Sequence, residues 1–126
     1  MNVLVAEDDP TLRQLLMILL GRREIPCQVV EDGRGAVSAW EGGGFDLILM
    51  DLQMPGMDGL EATRIIRERE KAHLGHVPII AMTAHTTPRD RAMCRSAGMD
   101  DYIEKPFRFS ELFQMIDRYG TEGAEG

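Results

Sequence analysis

Short apolar runs alternate with amphipathic stretches five times along the chain. The runs are Val3–Ala6, Cys27–Val30, Phe45–Met50, Pro78–Met82 and Tyr102–Glu104, several of them rich in Val, Ile and Leu. They lack a clean polar alternation, which predicts strands buried on both faces of a parallel sheet. Between the first two, Leu12, Leu15, Leu16, Leu19 and Leu20 make one stripe at helical spacing. Asp9 and Pro10 open that helix with a capping carboxylate and a proline at the first helical position, and Gly21 stands where it should stop. Further helices are predicted over Gly35–Trp40, Gly59–Lys71 and Pro88–Ala97, the last ended by Gly98. Phe109, Leu112, Phe113, Ile116 and Tyr119 give a fifth stripe.

Five strand–helix units predict an α/β fold with a doubly wound five-stranded parallel sheet, because parallel strands need crossover connections. The 126 residues suit one domain, over 1–119, followed by a Gly/Glu-rich tail over 120–126 with nothing to bury. In such a sheet the ligand site forms beyond the carboxyl ends of the strands. Asp8 and Asp9 follow the first predicted strand, Asp51 the third and Lys105 the fifth, while Thr83 ends the fourth. Four strand ends thus deliver polar residues to one edge.

Composition narrows the chemistry. Apolar residues make up 44% and charged residues 28%, the balance of a globular domain. The net charge of −7, from 21 acidic and 14 basic residues, argues against nucleic-acid binding by this domain alone. No apolar run approaches the roughly 20 residues that span a bilayer, and the first residues lack the basic start of a signal peptide. A cytosolic location is therefore expected. Cys27 and Cys94 lack metal-ligand spacing and are expected as plain thiols.

Asp8, Asp9 and Asp51 would converge in this fold, and like charges so close raise each other's pKa. Mg²⁺ resolves that conflict, since it takes hard oxygen ligands and keeps waters that a phosphoryl oxygen can replace. The expected ligands are Asp9 and Asp51 directly, Asp8 directly or through water, and the backbone carbonyl of Gln53, with Mn²⁺ as an acceptable substitute. Asp8 and Asp9 alone would read as a helix cap with a solvated neighbour; with Asp51 they call for a cation.

Asp51 can attack phosphorus and form an acyl phosphate. Charge then spreads over three equatorial oxygens, against which the Lys105 ammonium and the Thr83 hydroxyl can be set. Ala84 is small and leaves room, and His85 stands at the mouth of the site. Phosphatases with an aspartyl nucleophile commonly carry a second Asp two residues later. Here that position is Gln53, which cannot act as acid or base, so storage of the phosphoryl group is favoured over turnover. Met54 and Met57, in the loop from Met54 to Gly59, are read as packing, since thioethers are poor ligands for Mg²⁺.

Four segments in this order, Val3–Asp9 (VLVAEDD), Leu49–Gly59 (LMDLQMPGMDG), Ile79–Ala84 (IIAMTA) and Gly98–Pro106 (GMDDYIEKP), resemble the receiver domains of response regulators in two-component signalling. The resemblance covers residues 2–119 and implies a flavodoxin-like fold of strand order 2-1-3-4-5. It implies Asp51 as the phosphorylation site, Asp8 and Asp9 as the acidic pair for Mg²⁺, and Thr83 and Lys105 as phosphate-sensing residues. It also implies Tyr102 as an aromatic that swings inward behind Thr83, and a cis bond between Lys105 and Pro106. The implied partner is a histidine kinase or histidine phosphotransfer domain, docking near the first helix. The fourth-helix, fifth-strand, fifth-helix face would carry the output, in a monomer or a phosphorylation-dependent dimer.

The wording of the segments is most similar to receivers of hybrid histidine kinases. A stand-alone or transcription-factor receiver is an alternative, and an aspartyl-phosphate phosphatase a distant one. A flavodoxin-like cofactor binder fits poorly, because Asp8 and Asp9 would repel a flavin phosphate.

Overall fold

The computed structural model describes residues 1–73, 75–84 and 86–125, with side chains at all of these but 73 and 121–125. Five strands and five helices alternate: β1 (Val3–Ala6), α1 (Pro10–Arg22), β2 (Cys27–Val30), α2 (Gly33–Glu41), β3 (Leu47–Asp51), α3 (Gly59–His73), β4 (Ile79–Thr83), α4 (Pro88–Ala97), β5 (Asp101–Glu104) and α5 (Phe109–Glu125). The sheet is parallel, in the order β2-β1-β3-β4-β5. The doubly wound class and the strand order are both as expected.

The period-two geometry of the strands divides the core into two layers. Leu4, Ala6, Ile48, Met50, Ile79 and Ala81 face one cluster, which takes in Ala36 and Val37 of α2, Ala62 and Ile66 of α3, and Cys94 of α4. Val3, Val5, Leu47, Leu49, Ile80 and Met82 face the other, closed by Leu16 and Leu20 of α1 and by Leu112, Phe113 and Ile116 of α5. β1, β3 and β4 are buried along their whole length. That explains why they read as continuous apolar runs rather than alternating ones. Cys94 is buried, Cys27 half-buried, and both are free thiols. Burial raises the pKa of each thiol.

Element bounds moved where side-chain capping outweighs apolar pattern. α2 starts at Gly33, not Gly35, because the Asp32 carboxylate accepts from Gly35 N at 2.7 Å and caps it. β3 starts at Leu47, not Phe45, because the Asp46 amide donates to the Asn2 carbonyl at 2.8 Å and its carboxylate accepts from the Asn2 amide at 2.7 Å. β3 runs one residue further than expected, so Asp51 is the last residue of its strand, as Thr83 is of β4. The helical backbone of α5 continues past Tyr119 to Glu125, through most of the stretch assigned to a tail; residue 126 lies outside the described residues. Among the described residues no helix is long and apolar enough to cross a membrane.

Candidate functional site

A cleft of about 230 Å³ opens at the carboxyl edge of the sheet, lined by Glu7, Asp8, Asp9, Asp51, Gln53, Thr83, Ala84 and Lys105. Each side chain is delivered by the last residue of a strand or by the turn that follows it. β1 feeds Glu7 to Asp9, β3 feeds Asp51 and Gln53, β4 feeds Thr83 and Ala84, and β5 feeds Lys105. The Lys105 amide donates to the Thr83 carbonyl at 2.7 Å, which ties the last two strand ends together. The Lys105–Pro106 bond is cis, as the resemblance implies.

Asp51 is 5% exposed and Glu7 fully buried. Carboxylate oxygens of Glu7, Asp8 and Asp51 lie within 4.8 Å of one another. The Lys105 ammonium meets Glu7 Oε1 at 2.7 Å and Asp51 Oδ1 at 3.5 Å, and the Gln53 amide donates to Asp51 Oδ1 at 3.2 Å. One cation therefore faces three acids. The imbalance shows in Asp51, whose pKa is raised from 3.8 to about 7. Burial is the main cause, the hydrogen bond and charge of Glu7 add to it, and Lys105 opposes it. Burial draws the Lys105 pKa down, but its hydrogen bond to Glu7 and the charges of Asp51 and Glu7 outweigh that and hold it above the usual lysine value.

The carboxylates that the structure gathers differ in one member from the metal set expected from sequence. Asp8 and Asp51 belong to the cluster, but the third carboxylate is Glu7. Asp9 lines the cleft, yet its Oδ1 accepts from Thr11 N at 3.0 Å and caps α1. The cap was legible, and so was the acidic run; counting Glu7 as the first of three acids, with the last already used as a cap, would have found the pair. A cluster of three hard oxygen donors beside an ammonium fits Mg²⁺ in charge and ligand type.

Gly59 shapes the β3–α3 turn. Its amide donates to the Leu52 carbonyl at 3.1 Å, and a Cβ there would lie 2.2 Å from the Asp51 carbonyl oxygen. Only glycine lets α3 start so close to the reactive residue. Thr83 is 3% exposed at the cleft floor. Tyr102 lies outside the cleft, half-buried on β5 opposite Ala81, with the Arg91 guanidinium 4.8 Å from its ring centre. His85 lies outside the described residues. A second, more apolar groove of about 440 Å³ adjoins the cleft, lined among others by Leu12, Leu15, Pro106, Phe107 and Phe109. Beside it Leu15, Ile18 and Phe109 are 37%, 46% and 38% exposed.

Comparison with known proteins agrees with this geometry. A family model described as the response regulator receiver domain matches residues 3–117. Hybrid signal transduction histidine kinase I of Dictyostelium discoideum is 40% identical over 121 residues, 92% of this chain and 7% of that protein. Sensor protein GacS of Pseudomonas syringae is 40% identical over 116 residues, 91% of this chain and 13% of that one. The chain thus spans a small fraction of these relatives. Among solved structures, the receiver domain of the Saccharomyces cerevisiae response regulator Ssk1, in complex with the histidine phosphotransfer protein Ypd1, superposes with a TM-score of 0.91 at 32% identity. That match covers 98% of this chain and 91% of that one. The receiver domain of a Pseudomonas aeruginosa sensor histidine kinase, with a magnesium ion coordinated in its active-site cleft, gives 0.84 at 39% identity, covering 94% and 95%.

Proposed function

The chain belongs to the response regulator receiver family, and from that premise we propose that Asp51 accepts a phosphoryl group from phosphohistidine in a phosphorelay. The carrying observation is the cluster of buried Glu7 and Asp51 with the exposed Asp8, set against a single ammonium. An Asp51 oxygen forms the new P–O bond while the P–N bond breaks, its electron pair passing to the imidazole of the donor. When bound, Mg²⁺ supplies positive charge against the phosphoryl oxygens and the carboxylates, which favours the ionised form of Asp51.

Glu7, Asp8 and Asp51 would hold that ion, with Mn²⁺ an acceptable substitute and with the Gln53 carbonyl as a further donor. Lys105 sets its charge against the transferred group, and Thr83 offers its hydroxyl from the floor. Ala84 leaves room above them. Asp9 serves by capping α1. Gln53 brings no proton-transferring group to the cleft, so the acyl phosphate is stored rather than rapidly hydrolysed.

The donor is a histidine kinase or phosphotransfer domain that docks over the apolar groove between α1 and the Pro106–Phe109 segment, where Leu15, Ile18 and Phe109 are exposed. The likeness to a receiver in complex with a phosphotransfer protein supports this. New charge at Asp51 draws Thr83 inward, Tyr102 follows, and the α4–β5–α5 face changes its affinity for a partner. The unit over 1–119 works on the cytosolic side, within a hybrid histidine kinase. Labelling with acetyl phosphate and Mg²⁺ tests the core of this reading. The wild-type chain should take up one equivalent and Asp51→Asn none. Undiminished labelling of the variant would refute the assignment, and steady release of phosphate would favour a phosphatase.

A further inference from the structure

Consecutive residues in a strand point to opposite faces, yet Glu7 and Asp8 both bring a carboxylate to the same cluster. The chain achieves this by leaving strand geometry after Ala6, the last residue of β1 in register with β2 and β3. The Glu7 amide still donates to the Val30 carbonyl at 3.0 Å. The Glu7 and Asp8 carbonyls lie beyond the paired rows, and both accept from one atom, Nη1 of Arg13, at 2.9 Å each. Arg13 stands one turn into α1, its amide bonded to the Asp9 carbonyl at 2.9 Å, so its stem starts from a fixed point. Its other nitrogen is 3.8 Å from Glu31, a carboxylate 75% exposed, which contributes little in water.

We propose that Arg13 is a positioning residue for the acidic pair, holding the two peptide units that turn Glu7 and Asp8 to one side. This rests on the reading of the cluster as a divalent-cation site. The guanidinium binds neither the ion nor the phosphoryl group. It acts through the backbone, as groups that orient metal ligands from behind do.

Calorimetric titration of the chain with Mg²⁺ tests it. Loss of such a supporting contact typically weakens metal affinity about 10-fold or more, and Arg13→Met is expected to do so. Arg13→Lys, whose single ammonium can reach both carbonyls, should recover most of the affinity, and Glu31→Gln should leave it unchanged. Melting curves with and without Mg²⁺ separate positioning from simple destabilisation. Positioning shrinks the rise in Tm that Mg²⁺ produces, whereas simple destabilisation lowers both curves alike. Should Arg13→Met fail to fold, Arg13→Ala, which also removes the donors, is read the same way. A folded Arg13→Met chain, or its substitute, that binds Mg²⁺ as tightly as wild type overturns the role of Arg13 alone. A wild-type chain that binds no Mg²⁺ overturns the cation site itself.

Discussion

At the carboxyl edge of the sheet three carboxylates face one ammonium, while at the amino edge one guanidinium and one imidazole face two carboxylates. In the second cluster every arm of Arg67 is used. Nε donates to the Gly98 carbonyl at 2.8 Å, Nη1 to Glu70 at 2.7 Å and the Val77 carbonyl at 2.8 Å, and Nη2 to Asp100 at 2.7 Å. Glu70 and Asp100 also accept from the amides of Val77 and Ile79 at 2.7 and 2.8 Å, and His76 Nε2 lies 2.7 Å from Asp100. Both carboxylates there are met by the guanidinium and by backbone amides. At the other edge three carboxylates share one ammonium, and a buried Asp51 is left with its pKa raised to about 7. The balanced cluster joins α3 to the α4–β5 turn; the unbalanced one lines an open cleft. A buried carboxyl pushed so far from its usual pKa, in an open cleft, marks a candidate site rather than a brace.

Breaking the balanced cluster should give the largest loss of stability. Arg67→Met leaves Glu70, whose side chain is 7% exposed, without its cation, and removal of one partner from such a pair costs roughly 3–5 kcal/mol. Urea denaturation reads this directly. A loss under ~1 kcal/mol would mean that water reaches Glu70 and that the two edges do not differ as described.

The opposite sign is expected at the unbalanced edge. Asp51→Asn removes one of three like charges and should stabilise the metal-free chain at pH 8 by roughly 1–4 kcal/mol, since each unit by which the folded-state pKa is raised is worth about 1.4 kcal/mol. The pH dependence follows from linkage. A carboxyl whose folded pKa is raised binds its proton more tightly in the folded state, so stability is greatest below the unfolded value of 3.8 and falls as pH rises towards about 7. The gap between wild type and Asp51→Asn should therefore open across that window and level off above it. Saturating Mg²⁺ should close the gap at pH 8 and do little at pH 5, where a protonated carboxyl is a poor ligand. A gap independent of pH would sink the argument.

The two edges were not equally legible in the sequence. The carboxyl edge was readable because topology gathers strand ends there, so an Asp, a Thr and a Lys at three such ends already imply a site. Glu7 escaped because it adjoins two aspartates that seemed sufficient, and only the use of Asp9 as a cap makes the third acid necessary. The amino edge was illegible for a different reason. Arg67 reaches Gly98 and Asp100 across 31 and 33 positions, and on its own helix it reads as one charge among several. Gly98, read as a helix stop, is also a packing requirement: with φ at 106° it lies so close to Arg67 that a Cβ would sit 2.7 Å from Cγ. Hydrophobic period carries a chain to its fold; it says little about which exposed-looking charges find one another.

α4 is where the two edges meet, and its anchoring is unequal. Its C-terminal end is fixed by Arg67 through the Gly98 carbonyl. Near its N-terminal end, beside Thr83, β5 is reached by Thr86 on Glu104 at 3.2 Å, an exposed contact, and by Arg91 over the Tyr102 ring. A cation over an aromatic ring at an exposed site is worth about 0.5–1 kcal/mol, or a factor of roughly 2–5 in an equilibrium. If Tyr102 moves inward on phosphorylation, it leaves Arg91, and the contact favours the resting state by that factor. Arg91→Ala should then bind the phosphoryl analogue beryllofluoride, with Mg²⁺, about 2–5-fold more tightly, since apparent affinity scales with the competent fraction. The same change on a Tyr102→Leu background should have no effect. An Arg91→Ala chain with wild-type affinity would place the hinge of α4 elsewhere than at this contact, leaving the Arg67 cluster as the anchor of an otherwise unlatched helix.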